Sequence, residues 1–339
     1  MTQRRRRAWL GLVFAGLALG LGLPAQAQDR VLTNVSYDPT REFYDQFNRA
    51  FVAHWQEMTG EAVSVQTTHG GSGAQARSVL EGLPADVVTL ALESDINVLA
   101  DAGLVRPDWR AALPHNSAPY SSTIVFLVRA GNPKGISDWG DLVAGDVSVI
   151  TPNPKTSGGA RWNFLAAWAW AKAQPGGSDE TAQAFVADLF RRVPVLDTGA
   201  RGSTLTFAQR GMGDVLLAWE NEAYLTLRQM PDAGFEIVTP SVSIRAEPPV
   251  AVVDANVERK GSRDLAEAYL SYLYSDTGQK LAAANYYRPA NPAAAAAEDI
   301  ARFADLELVT IDDFGGWRQA QPHFFGDGGV FDQIYEGVQ

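Results

Sequence analysis

Four short stretches place small or helix-capping residues where an apolar run gives way to a helical pattern: Ser36-Tyr37-Asp38-Pro39-Thr40, Gly70-Gly71-Ser72-Gly73, Thr156-Ser157-Gly158-Gly159 and Thr198-Gly199-Ala200-Arg201-Gly202-Ser203. A helix start leaves up to four backbone N–H groups without an internal partner and carries the positive end of the helix dipole. Small residues let those groups approach a ligand closely. Several such starts brought together therefore make an anion site that needs no cationic side chain. Ser, Thr, Asp and Gly are also ordinary helix-capping residues, so any one junction is more readily explained as a cap, and "GGSG" alone as a flexible turn. Four of them with no catalytic partner nearby point to binding.

The rival chemistry is a hydrolase or transferase using Ser157, or Ser72, as nucleophile. It needs a base, and the chain has only His54, His69, His115 and His323, none in a recognisable catalytic signature. There is no Gly-x-Ser-x-Gly elbow, no Walker A loop and no His-Glu-x-x-His metal spacing. His69, beside Gly70-Gly71, could touch a cleft, but a lone histidine is more often a structural hydrogen-bonder. No enzymatic activity, cofactor or metal site is expected.

The elements that must position these junctions alternate in the α/β manner. Val31 to Ser36 reads as a strand, and Thr40 to Met58 as a helix with Phe43, Phe47, Ala50, Phe51 and Trp55 near helical spacing. Val63 to Val65 is a strand, Gly73 to Leu80 a helix and Ala85 to Leu90 a strand. Ile124 to Val128 and Val147 to Ile150 are strands before a helix from Gly159 to Lys172. Asp214 to Trp219, Phe235 to Val238 and Val250 to Val253 are further strands, followed by a helix from Ser262 to Tyr274.

The 339 residues, 46% hydrophobic and 20% charged, suit a globular protein of roughly two domains. Arg4 to Arg7, the apolar run Ala8 to Leu23, Pro24 and Ala25-Gln26-Ala27 make the three-part layout of a secretory signal peptide, residues 1–27, cleaved to leave Gln28 first. Its apolar run of about 16 residues is short for a membrane anchor, which needs roughly 20. Arg6-Arg7-Ala8-Trp9-Leu10 also resembles a twin-arginine export signal. Losing four arginines and no acid takes the formal charge from −11 to −15. So acidic a chain, with no basic stripe after Arg7, excludes nucleic acid as a partner. The absence of cysteine excludes disulfides and a lipid-anchored N-terminus. The expected location is the periplasm of a two-membrane bacterium.

The stretches "NVSYDPTREFYDQFN", "HGGSGAQARSVLEG", "SAPYSSTIVFLVRAGNPK", "SVITPNPKTSGGARWNFLAAWAW", "DTGARGSTLTFAQRGMGDVLLAWENEA" and "FGGWRQAQPHFFGDGGVFDQI" resemble the periplasmic sulfate-binding proteins that feed sulfate/thiosulfate ABC importers. The likeness covers essentially the whole mature chain. It implies an α/β, two-lobed periplasmic-binding-protein fold of type II, with the ligand cleft between the lobes and a two-segment hinge. It also implies a monomer that holds one dehydrated sulfate and delivers it to membrane permease subunits. Carried over motif by motif, the implied donors are the backbone N–H groups of Asp38, Ser72, Gly158, Gly159 and Ala200, the Ser157 hydroxyl and the Trp219 indole N–H. A thiosulfate-preferring relative of the same fold would use much the same cradle; molybdate and phosphate receptors are more distant alternatives.

The residues bear on these assignments in their own right. An indole ending an apolar run is usually core, yet it carries one donor that wants a partner when buried, and Glu220-Asn221-Glu222 after Trp219 suggest a polar cleft edge. The Asp38 carboxylate would repel an anion, so its expected role is to cap the helix that follows. Arg161 and Arg201 are either direct counter-charges or partners of carboxylates and carbonyls behind the site. The expected lobes are residues 30–110 plus 250–339, and 111–249. The hinge is expected at Pro119-Tyr120-Ser121-Ser122 and Arg245-Ala246-Glu247-Pro248.

Overall fold

Two sheets organise the chain, seen in a computed structural model that describes residues 30–306 and 308–337; the leader and its cleavage site lie outside the described residues. In the first sheet, Arg30–Tyr37, Val63–Gly70 and Val87–Thr89 run parallel and Val250–Val252 closes one edge antiparallel. In the second, Ile124–Val128 runs antiparallel between Val215–Trp219 and Glu236–Val238, and Val149–Pro152 lies parallel between Val215–Trp219 and Leu196–Asp197. Central strands covered on both faces read as unbroken apolar runs. Ile124–Val128 and Val215–Trp219 are accordingly buried at every position.

Helix Arg41–Thr59 buries Phe43, Phe47, Phe51 and Trp55, a four-residue repeat that lays one stripe on the core. It stops at Gly60, whose φ of 75° suits glycine. Helix Gly158–Ala173 behaves differently, since every residue from Gly158 to Trp168 is buried. The C-terminal stretch supplies its second cover. Trp162 meets Trp317 edge-on at 4.8 Å, and Phe164 and Trp168 meet Phe324 at 5.8 and 5.0 Å. Residues 311–337, expected to follow the first sheet, therefore pack chiefly on the helix of the second, because its outer aromatic face needs apolar cover.

The two segments expected to connect the halves lie side by side, and Ser122 and Ala246 exchange both backbone hydrogen bonds at 2.9 Å. Arg288–Pro289 pairs antiparallel with Tyr120–Ser121, so a third segment runs through the same junction on its way to residues 311–337.

Trp317 is 2% exposed against Trp162, so Trp317→Ala removes a large buried ring. We expect a loss of about 3 to 5 kcal/mol in urea unfolding; a loss below about 1 kcal/mol would detach this stretch from the core.

Candidate functional site

Each of the four junctions begins at the C-terminal end of a strand. Arg30–Tyr37 leads into a short 3₁₀ turn at Asp38, Val63–Gly70 into helix Ser72–Leu80, Val149–Pro152 through a turn into helix Gly158–Ala173, and Leu196–Asp197 into helix Ala200–Ala208. The residues before these turns, Tyr37, Gly71, Ser157 and Gly199, are non-helical, and only Ser157 gives its helix a side-chain cap, accepting from the Ala160 N–H at 3.4 Å. The first amides of the other three starts are left uncapped by side chains, which is the condition for binding an anion there.

The structure brings the junctions into contact. A Cβ built on Gly158 would sit 3.2 Å from the Ser72 Cβ and 2.7 Å from the Ala91 Cβ. One on Gly71 would sit 3.1 Å from the Thr156 carbonyl oxygen and 3.6 Å from that of Thr198, and one on Gly199 3.4 Å from an Asp38 carboxylate oxygen. One on Gly159 would lie 2.3 Å from the Tyr37 hydroxyl and 3.3 Å from the Trp219 indole nitrogen. Gly159, Ala200 and Trp219 also line one small cavity, together with Asn163 and Glu222. All seven sequence-derived donors thus gather at one place: Asp38 and Ser72 come from the first sheet's side, and Ser157, Gly158, Gly159, Ala200 and Trp219 from the second's.

The side chains there are committed in a way that leaves donors over. The Ser72 hydroxyl donates to the Asp95 carboxylate and accepts from the Ala91 N–H at 3.0 Å, so only its main-chain N–H remains to offer. Trp219 is 2% exposed and its indole N–H has no partner. A buried donor left unpaired costs roughly 1 to 3 kcal/mol, so this one signals a missing acceptor.

Neither arginine beside the donors is free. Arg161, buried, donates to the Pro154 carbonyl at 2.8 Å and to Gln321 at 3.0 Å, and lies 3.6 Å from Asp95. Arg201 forks onto Glu42 at 3.0 and 3.2 Å and reaches Glu222 at 3.2 Å. Both guanidiniums therefore neutralise carboxylates behind the site.

The expected capping role of Asp38 is not what the structure shows. The capping position falls on Tyr37, Asp38 enters the turn itself, and no side-chain cap bond forms. Its carboxylate lies 3.7 Å from Arg41 and beside Gly199. Burial pushes its pKa up while Arg41 and Arg201 hold it down. His69 is pushed down to about 4, by burial first and by Arg41 next, so it is a neutral imidazole at physiological pH. Among the described residues no histidine is hydrogen-bonded to Ser72 or Ser157.

Glu222 has a place the sequence does not reveal. Instead of edging an open cleft, Glu220, Asn221 and Glu222 are all buried. Glu220 forks onto Arg288 at 2.7 and 2.9 Å, Asn221 bonds Ser122 and Tyr287, and Glu222 meets Arg201. Burial pushes Glu222 up to about 7; Arg201 opposes this, and Glu42 and Asp38 add to it.

The model of the bacterial extracellular solute-binding proteins matches residues 32–288. The chain is 58% identical over 309 residues to the sulfate-binding protein of Escherichia coli (strain K12), covering 91% of this chain and 94% of that one. It is 53% identical over 330 residues to the thiosulfate-binding protein of Pseudomonas aeruginosa PAO1, covering 96% and 97%. Among solved structures, the sulfate-binding protein of Mycobacterium tuberculosis H37Rv superposes with a TM-score of 0.79 at 37% identity, covering 87% and 99%.

The raised pKa of Glu222 has a definite sign for stability. Its carboxyl is compatible with burial while protonated, so its contribution is present below its ordinary value of 4.5 and is lost as pH rises through about 7. The melting temperature of ligand-free Glu222→Gln, minus that of the parent, should therefore rise by a few degrees between pH 5 and pH 8. A flat difference would mean that Arg201 keeps the carboxylate ionised throughout.

Proposed function

Because the chain belongs to the bacterial extracellular solute-binding proteins, we propose that it is a receptor that captures sulfate between two lobes and delivers it to the membrane permease subunits of an ABC importer. The observation that carries this reading is the buried, unpartnered indole N–H of Trp219 beside uncapped helix starts, with Arg161 and Arg201 both drawn onto carboxylates. The names of the relatives support the choice of ligand. A protein exported to the periplasm as a monomer, with residues 1–27 removed, fits this role.

Sulfate at neutral pH is a dianion with four acceptor oxygens and no proton to give. The proposed donors are the amides of Asp38, Ser72, Gly158, Gly159 and Ala200, the Ser157 hydroxyl and the Trp219 indole. All are neutral, and the charge would be met by oriented dipoles rather than a counter-ion. Hydrogen phosphate carries a proton that such a cradle leaves facing another donor, and a buried polar group without a partner weakens binding severely. The proposed lobes divide at the paired segments through Ser122 and Ala246: residues 30–110 with 250 onward to the third crossing, and 111–249 carrying the C-terminal stretch. Thiosulfate is the second reading, favoured by the 53% identity to a thiosulfate-binding protein.

Titration calorimetry of anion-free protein tests the reading. Sulfate should bind, Trp219→Phe should weaken it by about 1.5 to 3 kcal/mol, the range for a hydrogen bond to a charged group, and a thousandfold excess of phosphate should not displace it. A parent that ignores sulfate and binds thiosulfate would replace the ligand; one that ignores both would overturn the receptor reading.

A further inference from the structure

Tyr37 ends the strand Arg30–Tyr37 immediately before Asp38, where an aromatic residue reads simply as core. Its ring fits that description, fully buried and tilted at 59° against Trp219 with centroids 5.4 Å apart. Its hydroxyl does not. The oxygen is buried and makes no hydrogen bond of normal geometry, although the Ser157 hydroxyl and the Gly159 amide lie beside it. It lies 2.3 Å from the point where a Gly159 Cβ would sit, and the equally orphaned Trp219 nitrogen lies 3.3 Å from that same point. Two unpaired polar atoms, one from each sheet, thus converge over the second residue of helix Gly158–Ala173, whose amide precedes the first intrahelical bond.

We propose that Tyr37 is a further ligand-binding residue, its hydroxyl donating to the tetrahedral oxyanion beside the Trp219 indole. This rests on the receptor reading above and adds to its donor set a hydroxyl group from the first sheet. A phenol can accept as well as donate, but once the neighbouring amide and hydroxyl turn to a bound anion, its O–H is best satisfied by pointing at the acceptor they share. Burial holds the phenol well above its ordinary titration range, so it remains a donor at any physiological pH. The bareness of Gly159 follows as well, since any side chain there would strike the hydroxyl.

Tyr37→Phe keeps the ring and deletes only this oxygen. In titration calorimetry it should weaken sulfate binding about 10- to 100-fold, the worth of one hydrogen bond to a charged group. The ligand-free melting temperature should be nearly unchanged, because the deleted hydroxyl makes no hydrogen bond of normal geometry. Binding equal to the parent's, with Trp219→Phe impaired, would overturn the Tyr37 assignment while leaving the receptor reading in place. Tyr37→Phe combined with Ser157→Ala separates direct contact from relay. Losses that add support direct donation, whereas a Tyr37→Phe effect that vanishes in the Ser157→Ala background would make Tyr37 only a support for Ser157 and overturn the proposal. The series is repeated with thiosulfate, and a parent that binds neither anion overturns both readings together.

Discussion

The backbone amides at a helix start must find partners, and every other choice at this site follows from leaving three of these starts without a side-chain cap. Water satisfies such groups at an exposed helix end; burial without a partner costs free energy. Here the uncapped starts occur at the ends of strands from two sheets and meet, so the cost is concentrated in one place. That arrangement restricts side chains sharply. Gly158 and Gly159 have opposing atoms within 2.7 and 2.3 Å of any Cβ, and Ser72 fits only with its hydroxyl turned away onto Asp95 and the Ala91 N–H.

A cradle of neutral donors also requires that nearby cations be occupied. Arg161 and Arg201 directly follow donor motifs, and either would be an ordinary counter-ion if released. Each is instead anchored on carboxylates and carbonyls. Arg201 reaches Glu42 and Glu222 at once and opposes the rise that burial imposes on the Glu222 pKa. Removing one member of such a group leaves the others buried without compensation, a penalty larger than the worth of the intact pair.

How much of this the sequence reveals depends on which physical signal each part carries. Strands such as Ile124–Val128 are legible because burial on both faces demands an unbroken apolar run, and helix Arg41–Thr59 because one stripe must repeat every four residues. Helices Glu93–Asp101 and Asp179–Phe190 are not among the expected elements, although Ala182, Val186, Leu189 and Phe190 of the second keep helical spacing. Most of the proposed donors are main-chain groups in motifs of small residues, and those motifs survive in the sequence as local patterns. Glu222 and Tyr37 are not legible in this way. One gains its meaning from Arg201 and Glu42, the other from Gly159 and Trp219, all brought in by tertiary folding. Asp38 was misread because a capping residue and a first-turn residue look identical until the backbone angles place the helix start at Tyr37. The course of residues 311–337 was hidden because their aromatic residues match any apolar face.

The two arginines also bear on what holds the sheets together across the site, since Arg201 reaches Glu42 on the first sheet's helix and Arg161 faces Asp95. Bringing such pairs out of water sacrifices several kcal/mol of hydration per ion and regains a similar amount in attraction, so they fix the register of the two halves without strongly favouring contact. The unpaired donors work against contact, because closing the cleft empty would strip water from Trp219 and the helix starts and put nothing in its place. In a receptor that closes on its ligand, the anion is then the only component that turns these donors from a penalty into bonds, and it can shift the equilibrium only by its differential affinity for the closed arrangement. In the proposed reading a neutral cradle would make closure depend on the ligand, whereas a cationic one could draw the carboxylates of the opposite half into its place.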